Sequence, residues 1–148
     1  MRGYRRALVR GGLIAAAVAA LSLPGGSAHA TPPGPGVTGT VIAQRTVGGT
    51  DYILRELTIP PGQATGWHYH DGPVRGYIAR GTLSHYDATC ASDGVYPAGS
   101  AIEEGHGPDA VHFGRNEGSE PLVLYALYVL PHGAPLANDA PNPGCDFE

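Results

Sequence analysis

The residues best suited to chemistry in this 148-residue chain are histidines. In Trp67-His68-Tyr69-His70 two imidazoles stand at i and i+2. Side chains on a strand alternate with period two, so a strand here would project His68 and His70 from one face, where they could share a metal ion. A third imidazole comes from far along the chain, at Val111-His112-Phe113, in another strand-like stretch. Three neutral imidazoles with coordination positions left over are what a catalytic first-row transition metal needs. His-x-His alone is a weak signal, because two solvent-facing histidines on an edge strand read the same way; the context has to decide. No Gly-rich phosphate loop, Ser nucleophile elbow or pair of carboxylates at a defensible spacing competes with it.

The elements that would carry these histidines are short strands. Gly (23) and Pro (14) make up a quarter of the residues, but a hydrophobic content of 42% argues for a folded chain rather than disorder. Strand-like stretches run over 37–44, 51–59, 66–70, 74–79, 82–87, 100–103, 110–114 and 121–130. Residues 51–59 alternate imperfectly, and 122–130 are almost wholly apolar, as in a strand covered on both faces. Turn signals separate them at Gly48-Gly49, Pro60-Pro61-Gly62, Asp71-Gly72-Pro73, Ser92-Asp93-Gly94, Gly105 to Pro108 and Asn116-Glu117-Gly118. Eight or nine short strands with no sustained helical period predict an all-β sandwich or small barrel.

The N-terminus reads as a targeting segment. Arg2, Arg5, Arg6 and Arg10 precede an apolar run from Leu13 to Leu23, and Ala28-His29-Ala30 offers the small residues of a cleavage site. A secretory signal peptide over 1–30 is expected, too short for a comfortable membrane span, and with it secretion and no stable membrane insertion after cleavage. Residues 31–36 would form a flexible spacer, 37–131 the barrel, and 132–148 a Pro-rich tail packed on it. Without the signal, five arginines and no lysine face thirteen acids, a net charge of −8. Such a surface repels phosphate backbones, so nucleic acid is not an expected partner. In an exported protein Cys90 and Cys145 are expected to form a disulfide, fastening the tail with a chain-entropy contribution of about 4 kcal/mol at most.

Taken together, these spacings resemble the cupin family. Its first motif is a Gly, five residues, His-x-His, a Glu and a Gly ending the next strand; Gly62, His68-Tyr69-His70 and Gly81 fall at those intervals. Its second motif places a His after a Pro/Gly turn and an Asn four residues on, as His112 and Asn116 stand here; Tyr96-Pro97-Ala98-Gly99 resembles the usual lead-in. The resemblance implies a single-domain jelly-roll (cupin) β-barrel with a metal held by His68, His70 and His112. The chain departs from the pattern in one chemically weighty way. The motif glutamate should stand at Val74 or Arg75, and neither is a carboxylate. An all-imidazole site would favour Zn, Fe, Ni or Cu over Mn, with a water as its expected fourth ligand.

Several neighbours need placing. Glu103, Glu104 and His106 lie near the second motif, and Glu104 and His106 are expected as solvated rim residues. His85 faces either the pocket or away from it. Arg75 points outward if Val74 points in, or clamps an anion if the register is shifted by one. Trp67, Tyr69 and Tyr77 read as core or dimer contacts, and His132 as surface. The apolar 122–130 run would suit either a buried strand or the edge of a homodimer. Two functions follow. One is a metal-dependent dioxygenase or isomerase acting on a small organic molecule. The other is a non-catalytic extracytoplasmic module binding a metal or small ligand.

Overall fold

The computed structural model describes residues 32–147; the expected signal peptide, with His29, lies outside them. Ten strands account for the regular structure: β1 (Thr38–Val47), β2 (Thr50–Ile59), β3 (His68–Tyr69), β4 (Val74–Arg80), β5 (Thr82–Asp87), β6 (Ser92–Pro97), β7 (Ala101–Glu104), β8 (His112–Arg115), β9 (Leu122–Pro131) and β10 (Asn138–Asp139). They form two antiparallel five-stranded sheets, in the orders β1-β2-β9-β4-β7 and β10-β3-β8-β5-β6. The all-β jelly-roll expected from the sequence is the fold observed. No helix of the described residues is long and apolar enough to cross a membrane.

The first sheet is built on β2 and β9, which pair without interruption from Thr50↔Pro131 to Ile59↔Leu122. Period-two alternation sends Leu122, Leu124, Ala126, Tyr128 and Leu130 of β9 inward. There they meet Ile59, Val74, Ile78 and Ile102 of the same sheet and Leu83 of β5. Full burial of side chains of this size contributes roughly 1.5–3 kcal/mol each. The outer residues of β9 are half-buried rather than covered, and β9 lies between β2 and β4. It is therefore no edge strand.

The second sheet packs a smaller cluster, Trp67, Phe113, Ala140 and Cys145, with Trp67 stacked on Phe113 at 4.9 Å between ring centroids. Its strands are shorter, and two escape a reading by periodicity. Ser92-Asp93-Gly94 is not a turn but the start of β6, paired with β5 from Tyr86↔Ser92 to Thr82↔Pro97. The tail contributes β10, which pairs with β3 through Asn138↔Tyr69 and Asp139↔His68. The Cys90–Cys145 disulfide is formed, with 5.5 Å between Cα atoms, and fastens that tail as expected. At the other end, Gly34 N–H donates to the Ala64 carbonyl at 2.8 Å, tying the segment before β1 to the loop that leads into β3.

The turns that bring motif residues together have local causes. Gly81 closes β4 at φ +77°, where a Cβ would press on the backbone of Leu122. Asn116, fully buried, donates to the carbonyls of Ile59 and Glu120, both at 2.8 Å, and accepts from Gly118 N–H. It holds the end of β8 against the start of β9.

Candidate metal centre

His68 and His70 leave the same side of the β3 segment, and His68 pairs directly with His112 across the β3–β8 ladder. The three rings lie 4.5–5.1 Å apart between centroids. All three are buried, and each can present a ligand atom within 4.8 Å of the others. The expected triad is thus brought together by two neighbouring strands.

Each ring is also oriented. His68 Nδ1 lies 2.9 Å from the Gly66 carbonyl, His70 Nδ1 2.6 Å from that of Leu136, and His112 Nδ1 2.8 Å from that of Ala110. A carbonyl oxygen only accepts, so each Nδ1 must carry the hydrogen, and Nε2 then holds a bare lone pair. Outer hydrogen bonds of this kind fix the tautomer of a metal-binding histidine. Leu136 belongs to the tail, so one of these anchors depends on the segment that the disulfide fastens.

Glu104 was expected on a solvated rim; it points into the cluster instead. Only 13 % of its side chain is exposed, and Oε2 lies 3.1 Å from His70 Nε2 and 3.6 Å from His112 Nε2. The reason is register: Val74 of β4 faces Glu104 of β7 across the ladder, and paired residues point to the same side. The carboxylate absent from β4 is supplied by the residue directly opposite it. A carboxylate thus faces the imidazoles from β7, where the sequence placed it on the rim.

His85 faces the pocket as well. It is buried, its ring centroid is 5.0 Å from that of His112, and its Nε2 is 3.8 Å from Glu104 Oε1. Its Nδ1 lies 2.6 Å from Asp93 Oδ1. His85, Glu104 and His112 form a second group with ligand-competent atoms within 4.8 Å of one another. Arg75 is outside, 58 % exposed and 3.2 Å from Glu103, so it is no clamp in the pocket. His106 is exposed at the rim, and His132 lies on the surface 2.9 Å from Asp51. Trp67 is core, and Tyr77 is exposed.

The electrostatics suit a cation. Burial lowers the pKa of His112 to about 3, the charge of Glu104 opposing it only in part, and burial likewise lowers that of His68. Burial by itself would raise Glu104, but its contact with His70 outweighs that and holds it down, to about 2. At neutral pH His68 and His112 are therefore neutral and Glu104 is a carboxylate. The Nε2 atoms of His70, His85 and His112 are buried without a hydrogen-bond partner among the described residues. Lone pairs and an anion converging with no donor between them call for a positive ion, and three imidazoles with one carboxylate match a divalent transition metal.

Known proteins bear on the fold. No family model matches the chain, and no curated protein is significantly similar to it. Solved structures do match. A double-stranded β-helix protein from Klebsiella pneumoniae is 21% identical at a TM-score of 0.56, covering 73% of this chain and 88% of that one. A cupin-like protein from Thermotoga maritima is 23% identical at 0.57, covering 72% and 75%. A cupin domain from Bordetella pertussis is 21% identical at 0.53, covering 64% and 94%. The chain has the cupin fold, and its histidine group fits a metal-binding cupin.

Proposed function

We propose that the protein is an exported, cupin-type metalloprotein that binds one divalent transition metal through His68, His70 and His112, with Glu104 as a fourth ligand. The observation that carries this reading is the convergence of the Nε2 atoms, each ring tied at Nδ1 to an acceptor and facing a buried carboxylate. A bound metal would act as a Lewis acid toward an oxygen of a small organic molecule. With Glu104 among the ligands, the preference against Mn that an all-imidazole site would have is weakened. Export is supported by the signal-like N-terminal sequence and by the disulfide, which persists in oxidising compartments.

Within this reading an enzyme, a dioxygenase or isomerase, is favoured by His85. It stands beside the ligands with Nδ1 held by Asp93 and Nε2 directed at Glu104, a position from which a side chain can exchange a proton in the pocket. The alternative, a binding module without turnover, is favoured by the closed ligand set, since three histidines and a carboxylate complete a tetrahedral shell. Elemental analysis of the purified protein tests the shared claim. Close to one transition metal per chain is expected; a preparation that carries none and takes up neither Zn, Cu, Ni nor Fe overturns it. Oxygen uptake that disappears in His112→Ala would then separate a dioxygenase from a module.

A further inference from the structure

Arg55 is left unexplained by a metal centre. On β2 it shares a face with Ile53, Leu57 and Ile59, all of which pack into the first sheet's core. A guanidinium in an inward apolar row needs both room and a counter-charge. Room is provided: its cross-strand partner on β9 is the small Ala126, and on β1 a Cβ at Gly39 would fall on the guanidinium itself.

The counter-charge is missing. Arg75 and Arg80 are paired with Glu103 and Glu120 on the surface, but no carboxylate lies within 4.0 Å of Arg55 among the described residues. Its Nη2 makes a long 3.4 Å contact to the Gly39 carbonyl, and the guanidinium lies by the Tyr128 hydroxyl. Its Nε is buried with no hydrogen-bond partner.

Arg55 lines a cavity of about 130 Å³ together with Tyr128, Leu57 and Val37, and the cavity also reaches His68 and His70. Tyr128 links the two ends, its ring 5.6 Å from that of His70. The one carboxylate on the cavity, Asp139, is exposed.

We propose that Arg55 and Tyr128 form a carboxylate-binding subsite, so that the ligand taken into the cavity is a small organic carboxylate whose other end is turned toward His68 and His70. The orientation of that second end rests on the metal-centre reading; the subsite itself does not. A guanidinium edge and a carboxylate match in two parallel charge-assisted hydrogen bonds, and the tyrosine hydroxyl adds a third donor. The cavity's volume suits a carboxylate of a few heavy atoms.

Titration calorimetry on the whole mature chain tests this, with acetate, pyruvate and oxalate as probes, neutral pyruvamide as control and metal content measured on the same samples. At least one carboxylate is expected to bind, and pyruvamide to bind at least tenfold more weakly than pyruvate. Arg55→Met should weaken carboxylate binding tenfold or more and Arg55→Lys less, with metal content unchanged in both. Tyr128→Phe, which keeps the ring in the core, should weaken it severalfold, so the proposal stays exposed to test even if Arg55→Met does not fold. Failure of all three carboxylates to bind at millimolar concentration overturns the subsite, and so does binding indifferent to both substitutions. Arg55-dependent binding in a protein that takes up no metal would keep the subsite and refute the metal centre. Metal uptake without Arg55-dependent binding would do the reverse.

Discussion

The sheet β1-β2-β9-β4-β7 and the sheet β10-β3-β8-β5-β6 each have five strands, yet they bury unlike side chains. The first buries a continuous apolar set on long, regularly paired strands, interrupted on its inner face by Arg55 and Glu104. The second, beyond its small aromatic cluster, holds four buried histidines on or beside its strands, each with Nδ1 at a fixed oxygen. Stability is thus concentrated in one sheet and chemistry in the other. The two polar intrusions in the first sheet are the points where it reaches into the second sheet's pocket. Buried polar groups are tolerated where they have partners, and here the atoms without one among the described residues include Nε2 of His70, His85 and His112 and Nε of Arg55.

Substitutions can break that division of labour. The largest stability effect is expected from Leu122→Ala in the first sheet. Loss of a fully buried leucine should cost about 2–5 kcal/mol in chemical denaturation, while the folded fraction keeps its metal. Folded protein that loses metal would show that the two sheets are not separable in this way. Next comes the double change Cys90→Ser with Cys145→Ser, which should cost about 2–4 kcal/mol. Because the tail provides the Leu136 carbonyl for His70, the same variant should yield its metal to a competing chelator sooner than the wild type. Unchanged chelator competition would mean that the tail's anchor does not matter to the site.

Acid should act mainly through the second sheet. His112 is brought from 6.5 to about 3 by burial, and His68 shifts in the same direction. Between those values the unfolded chain binds more protons than the folded one. Stability of the metal-free protein is therefore complete above about pH 6.5 and falls as the pH drops toward 3, by at most about 1.4 kcal/mol per pH unit for each such histidine. Urea midpoints at pH 7, 5.5 and 4.5 measure it, and a flat profile would contradict buried neutral imidazoles. The smallest effect is expected from Arg75→Ala, which removes an exposed ion pair and should change stability by less than about 1 kcal/mol with no change in metal content.

The strands of the first sheet were largely legible in the sequence, because long apolar or β-prone runs bounded by turn signals mark their own extent. The His68 and His70 face followed from period two alone. Glu104 did not, since Glu103 and Glu104 are alike in composition and only the pairing of β7 with β4 decides which one points inward. Arg55 left a trace, an arginine in the Ile53-Leu57-Ile59 row, and that trace read merely as imperfect alternation. Asp93 was hidden by its neighbours, because Ser92-Asp93-Gly94 has the composition of a turn and forms the start of a strand. The carbonyls that orient the histidines, Leu136 above all, cannot be read from side-chain types, and a two-residue strand such as β10 has no period.

The most direct test of the central claim is the X-ray absorption fine structure of the metal-loaded protein at the metal edge. The account predicts a first shell of nitrogen and oxygen with scattering from three imidazole rings, reduced to two in His112→Ala, and no sulfur. A shell with one imidazole or none, or one that His112→Ala leaves unchanged, would contradict it.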